Sequence, residues 1–225
     1  MTVVEDYQEQ AEALAASTAA QMLALYAALQ AGGIAPSTAV EAMAAVVNAA
    51  NAAATTLADV FVSAQVEAAA GVPSPPTGIA PRDDLERLAK AVETILDDLG
   101  AVPRPRQAET PSDLQRATAP SLRDTGQRVG AVARPDEPDP AETAAMRLER
   151  LARSEPLETG QSVSVEVINR LPRAVGWTRK LDADPCERCQ RWAENGRVFP
   201  AGHHFKRHYG CNCAAEIVTR EGKSS

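Results

Sequence analysis

Large apolar side chains recur at helical spacing from the start of the chain. Between residues 5 and 31, Leu14, Met22, Leu25, Tyr26 and Leu29 fall on one face and alanine fills most other positions, which predicts one long helix ended by Gly32-Gly33. Pro36-Ser37-Thr38 can open a second, in which Met43, Val46, Val47, Ala50, Leu57, Val60, Phe61 and Val66 carry an apolar stripe to about residue 70. The expected product is an antiparallel hairpin with a thin, alanine-rich seam. Such a hairpin buries little area alone. It either gains a third helix over 82–99 (Leu85, Leu88, Ala89, Val92, Ile95, Leu96), led by Asp83-Asp84 and closed by Gly100, to form a small bundle, or it docks on a partner.

Beyond residue 70 the periodicity is interrupted. Residues 71–140 hold eleven of the sixteen prolines, and outside the third helix they read as linker, with too few large apolar side chains over 104–140 to offset the entropy of ordering. Helix resumes near Ala141, with Ala145, Leu148, Leu151 and Ala152 on one face and a break or bend near Pro156. Over 161–171 the pattern is ambiguous, because Val163, Val165, Val167 and Ile168 suit a short helix or a strand. Residues 175–181 read as a strand anchored by Trp177, and Asn195-Gly196 marks a tight turn before Arg197-Val198-Phe199-Pro200, a hairpin or turn–strand unit. The fold class is therefore mainly α: an acidic helical region (1–100), a Pro-rich extended linker (101–140) and a small α+β domain (141–225).

Composition narrows this picture. Alanine supplies 44 of the 225 residues and there are only eight aromatic ones, so at about 25 cal/mol per Å² of buried apolar surface small packed units are expected rather than a large enzyme core. Charge divides the chain further: residues 1–70 contain Glu5, Asp6, Glu9, Glu12, Glu41, Asp59 and Glu67 but no Lys or Arg, and so carry the whole net charge of −7. A base-free helical arm is a poor ligand for nucleic acid, which is bound through cations that displace counterions. No uninterrupted apolar run approaches membrane-spanning length, and the N-terminus has no basic region leading into an apolar stretch, so neither a membrane partner nor a secretion signal is expected.

The chemistry is concentrated near the C-terminus. Cys186 and Cys189 form a Cys-x-x-Cys pair, and eighteen residues later His208, Cys211 and Cys213 form His-x-x-Cys-x-Cys. Two such knuckles can grip one zinc ion at about 2.3 Å per sulfur. The second knuckle offers three donors for two places; Cys186, Cys189 and Cys211 are favoured, with Cys213 ahead of His208 for the fourth. Disulfides between the two pairs are the alternative, disfavoured in a reducing cytosol. Four protein ligands leave no open position for water, so the site reads as structural. The sequence contains no His-Glu-x-x-His, glycine-rich phosphate cradle or nucleophile elbow. His203-His204 and the acids Glu187 and Glu194 read as solvated loop and helix residues. Trp192, Val198 and Phe199 provide apolar material, while Arg188, Arg191, Arg197, Lys206 and Arg207 make a basic patch with few aromatic platforms for bases.

This cluster resembles the C-terminal signature of the Mu F-like minor head proteins of tailed bacteriophages. The similarity runs through Gly176-Trp177-Thr178-Arg179, Leu181-Asp182-Ala183-Asp184-Pro185-Cys186-Glu187-Arg188-Cys189, Asn195-Gly196-Arg197-Val198-Phe199-Pro200 and His208-Tyr209-Gly210-Cys211-Asn212-Cys213. The family's conserved positions fall on Cys186, Cys189, Gly196, Phe199, His208, Cys211 and Cys213. The resemblance covers about residues 141–213 and implies a protein of the virion, inside the phage head and assembled in the host cytoplasm. Its implied partners are the portal protein and the major capsid protein, and its implied role is head assembly or DNA packaging and delivery. Some relatives are labelled capsid maturation proteases. That activity, and a zinc-knuckle module contacting packaged DNA, are the alternative functions.

Overall fold

The computed structural model describes residues 2–98 and 140–220. Residues 101–139 of the expected linker and the expected helix stop at Gly100 lie outside the described residues, whereas the part over 71–84 is described and is held against the second helix.

Helix α1 (Val3–Gln30) begins at a reciprocal cap: the Glu5 amide donates to Thr2 Oγ1 at 3.2 Å and the Thr2 amide to Glu5 Oε2 at 2.8 Å. Helix α2 (Pro36–Ala70) opens on proline and ends at Gly71, whose φ of 67° supplies the left-handed C-cap that glycine adopts without strain. Helix α3 (Leu85–Asp98) lies against α2, and α4 (Pro140–Arg170) runs along both α1 and α2. The small C-terminal region contains β1 (Ala174–Lys180), α5 (Glu187–Ala193), β2 (Phe199–Pro200) and β3 (Ala214–Thr219), with an antiparallel sheet in the order β2-β1-β3. The protein is thus mainly helical with a small α+β C-terminal region.

The third helix does pack on the hairpin. Leu88, Val92, Ile95 and Leu96 close one end of the bundle against Met22, Leu29, Met43, Val47, Ala144 and Leu148, while Leu85, expected in the same stripe, is 42% exposed. Small side chains make close helix approach possible: Ala15, Ala39, Ala44 and Ala58 are wholly buried. Segment 161–170 is helical and continuous with the helix before it, and Leu171 lies just past its end. Gly160, Gln161, Val163, Ser164, Val167 and Ile168 are buried at helical spacing, and Pro156 is accommodated inside α4. Cations missing from the hairpin arrive from later in the chain, where Arg153 Nη1 reaches Glu12 at 3.0 Å.

A strap over 71–84 crosses from α2 to α3. Its anchor is Asp59, which is buried in α2 and accepts from the Thr77 amide and hydroxyl at 2.9 Å each, the Gly78 amide at 2.8 Å and the Ile79 amide at 3.3 Å. Burial alone would push this carboxyl up. The donors outweigh burial and hold it below the usual carboxylate range.

Each of α1 and α2 contains an 18-residue window apolar enough to cross a membrane, although neither holds an uninterrupted apolar run of that length. Within the fold they bury polar groups used as internal partners, Gln8 in α1 and Asp59 and Gln65 in α2.

Candidate metal centre

Cys186 is the N-cap of α5 and makes no side-chain cap bond, so its thiol is available; Cys189, one turn on, is buried beneath it. The second knuckle turns back through Gly210, whose φ of 66° allows the Cys211 amide to reach the His208 carbonyl at 3.2 Å. His208 Nδ1 lies 2.8 Å from the Tyr209 carbonyl, an acceptor only, so Nδ1 carries the proton and Nε2 presents a lone pair. That lone pair points at two sulfurs, 3.2 Å to Cys186 and 3.0 Å to Cys189. A backbone acceptor on the far ring nitrogen is the arrangement that orients metal-binding histidines.

Cys189 also belongs to a second triad. Its sulfur is 3.5 Å from that of Cys211, and the sulfurs of Cys189, Cys211 and Cys213 lie within 4.8 Å of one another. Donors on a tetrahedral zinc are separated by about 3.8 Å for bonds of about 2.3 Å, so both triads have the convergence that coordination needs. All five donors expected from the sequence are therefore brought together, as two triads sharing Cys189. The cluster geometry is compatible with structural metal coordination, through three thiols in one triad or through two thiols and an imidazole in the other. All four cysteines are free thiols in this arrangement.

The thiols differ electrostatically. The hydrogen bond from Cys213 draws Cys211 down to about 5, against the effect of burial and with help from the Arg179 charge. Burial, then the Cys211 charge, pushes Cys189 up to about 12, and the bond to Cys211 pushes Cys213 up as well. Arg179 on β1 is buried with Nη1 3.8 Å from Cys211 Sγ, and its guanidinium lies 3.8 Å from the centre of the Phe205 ring.

Three helical glutamines hold this cluster to the bundle. Gln161 of α4 donates to the Cys211 and Cys213 carbonyls at 2.6 and 3.1 Å; Gln8 of α1 donates to Leu181 and Asn212 at 3.3 and 3.1 Å; Gln65 of α2 donates to Ala215 at 3.3 Å and accepts from the Ile217 amide at 2.9 Å. Sequence reasoning missed all three and Arg179, since glutamine on a helix and arginine on a strand both read as surface residues.

The remaining candidates do not converge. His203 stacks on Phe199 with centroids 5.0 Å apart, His204 is exposed, and among the described residues neither makes a hydrogen bond to a serine. Glu194 pairs with Arg197 at 2.6 Å and occupies a left-handed turn with Asn195 and Gly196. Within the basic patch, Arg207 turns inward to the Glu158 carbonyl and the Ser162 hydroxyl, leaving Arg188, Arg191 and Lys206 exposed. A separate cleft of about 560 Å³ between the strap and α4 contains matched charges, Arg87 with Glu155 at 2.7 Å and Arg82 with Glu166 at 3.8 Å, and no cysteine. Comparisons of the chain with family models, with curated proteins and with solved structures give no match.

Proposed function

We propose that this chain is a minor head protein of a tailed bacteriophage, attached to the portal inside the head and acting in head assembly or DNA delivery. The observation that carries the reading is the Cys-x-x-Cys and His-x-x-Cys-x-Cys pair, in the order of the Mu F-like signature, brought together as two donor triads that share Cys189. In this reading the ion is zinc. It is held by four of Cys186, Cys189, His208, Cys211 and Cys213, and its role is to fix the two knuckles to each other rather than to activate water. The acidic helical face is the surface for the portal. A structural role is favoured over proteolysis because, among the described residues, neither His203 nor His204 is hydrogen-bonded to a serine or cysteine.

Coexpression with the portal protein of the same phage tests the assignment: the chain is expected to copurify with portal rings and to be present in particles. Rings and particles that contain none of it would sink the proposal. Native mass spectrometry before and after strong chelation tests the ion separately, with one zinc per chain expected.

A further inference from the structure

Arg179 is a buried cation whose hydrogen bonds go to a carbonyl and a sulfur rather than to a carboxylate. It is 5% exposed; Nη2 donates to the Lys206 carbonyl, Phe205 and Trp192 lie 3.8 and 5.5 Å from Cζ, and Nε has no partner. Among the described residues no acidic side chain forms an ion pair with it. A desolvated guanidinium is costly unless an anion faces it. The group that does so is the Cys211 sulfur, at 3.8 Å from Nη1.

Charge balance then distinguishes the ligand sets. A divalent cation held by three thiolates and one neutral imidazole has one net negative charge, which a single guanidinium cancels; four thiolates would leave one buried negative charge in excess. Cys186, Cys189 and His208 already form one triad, and of the two other thiols Cys211 is the one that faces the guanidinium. Cys213 is hydrogen-bonded to the Cys211 sulfur and lies 3.9 Å from Asp182 Oδ2, with no contact to the guanidinium among the described hydrogen bonds.

We propose that Arg179 is the counter-ion of the metal centre and that it selects Cys211, with Cys186, Cys189 and His208, as the ligand set, leaving Cys213 outside it. This rests on the metal-centre reading above and specifies which donors bind. Arg179 acts through Cys211 and is a positioning residue. Outer groups of this kind typically change metal affinity by about 10–100-fold.

The test uses the full chain loaded with Co(II), whose thiolate charge-transfer absorption grows with the number of sulfur ligands, and competition with a chelator. The wild type is expected to bind one Co(II) with a three-thiolate spectrum. Cys213→Ser should leave spectrum and affinity within about twofold, whereas Cys211→Ser should lose about a third of the charge-transfer intensity. Arg179→Met, which keeps the packing volume, should weaken binding at least about tenfold, and Arg179→Lys, which keeps the charge, should recover most of that loss. Equal binding by Arg179→Met and wild type would overturn the counter-ion role, as would equal losses in the Met and Lys variants. Loss of a sulfur ligand in Cys213→Ser would overturn the ligand assignment, and that comparison stands even if Arg179→Met does not fold. A wild-type chain that takes up neither Co(II) nor Zn(II) would remove the metal centre itself, an outcome distinct from failure of the variants.

Discussion

Asp59 performs its structural work as an anion that pairs with no cation among the described residues. Its carboxylate organises four donors of the strap, so Asp59→Ala removes the acceptor that holds the strap to α2 and is expected to cost about 1–3 kcal/mol in urea denaturation. The sign of the pH effect follows from the direction of its shift. A carboxyl held below its ordinary value binds fewer protons in the folded than in the unfolded chain. Its contribution is therefore fully present above the ordinary carboxylate value, near about pH 4, and is lost as pH falls through the lower folded value. Comparing stability from pH 7 down to pH 3, the wild type should lose this increment while Asp59→Asn, already lacking it, should show a shallower decline. Gly160 offers a second single-residue test, because a Cβ there would lie 2.5 Å from the Tyr7 hydroxyl. Gly160→Ala is expected to cost about 1–3 kcal/mol, and much less in a Tyr7→Phe background, where the obstructing oxygen is gone; a double-mutant cycle measures that coupling.

At the level of elements, what could be read from the sequence depended on which side chains faced what. The long helices were legible because Met22, Leu29, Met43 and Val47 fall at helical spacing and are the residues the bundle buries. Segment 161–171 was not, because its alternating valines fit both periods; the tie is broken by Gln161 and Ser164, polar residues buried only because α4 directs them at internal acceptors. The strand around Trp177 was legible from its β-branched and aromatic content, whereas its pairing depends on Gly176, where any side chain would collide with the Phe199 carbonyl. The five candidate donors were legible from spacing alone. Their attachment to three helices was not, since Gln8, Gln65 and Gln161 carry no local signal that distinguishes an internal hydrogen bond from a solvated surface. Gln161→Leu keeps the volume but removes both bonds to the knuckle carbonyls, and is expected to cost about 2–3 kcal/mol and to expose Cys211 to thiol reagents faster than in the wild type. Unchanged thiol reactivity would mean that Gln161 does not hold the knuckle in place.

The molecule as a whole contains two cores in one bundle, and only one of them includes the knuckle. Val4, Tyr7, Ala58, Phe61, Leu157 and Val167 pack with Trp177, Phe205, Cys189, Cys211 and Cys213, whereas Met22, Met43, Leu88, Val92 and Leu148 form the other core without any cysteine. An ion binding the folded knuckle but not the unfolded one adds its binding free energy to that state, and the shared core together with the three glutamines extends the effect into α1, α2 and α4. Chelation should therefore loosen one end of the bundle and spare the other. In hydrogen exchange on the full chain, amides over 4–15, 58–66 and 157–168 are expected to lose protection when the ion is removed, while those over 22–29, 43–47 and 88–96 retain most of theirs. A knuckle folding as an independent tip would instead confine the loss to residues 174–219, and a single cooperative unit would spread it evenly through both cores. The first pattern requires the buried contacts of Gln161 with Cys211 and Cys213, so Gln161→Leu should reduce the protection that the ion confers on α4 while leaving the ion bound. The helical region continues into the knuckle through the shared core and these contacts, so an ion bound there would act on the proximal half of the hairpin through both, and the hydrogen-bonded part can be removed one bond at a time.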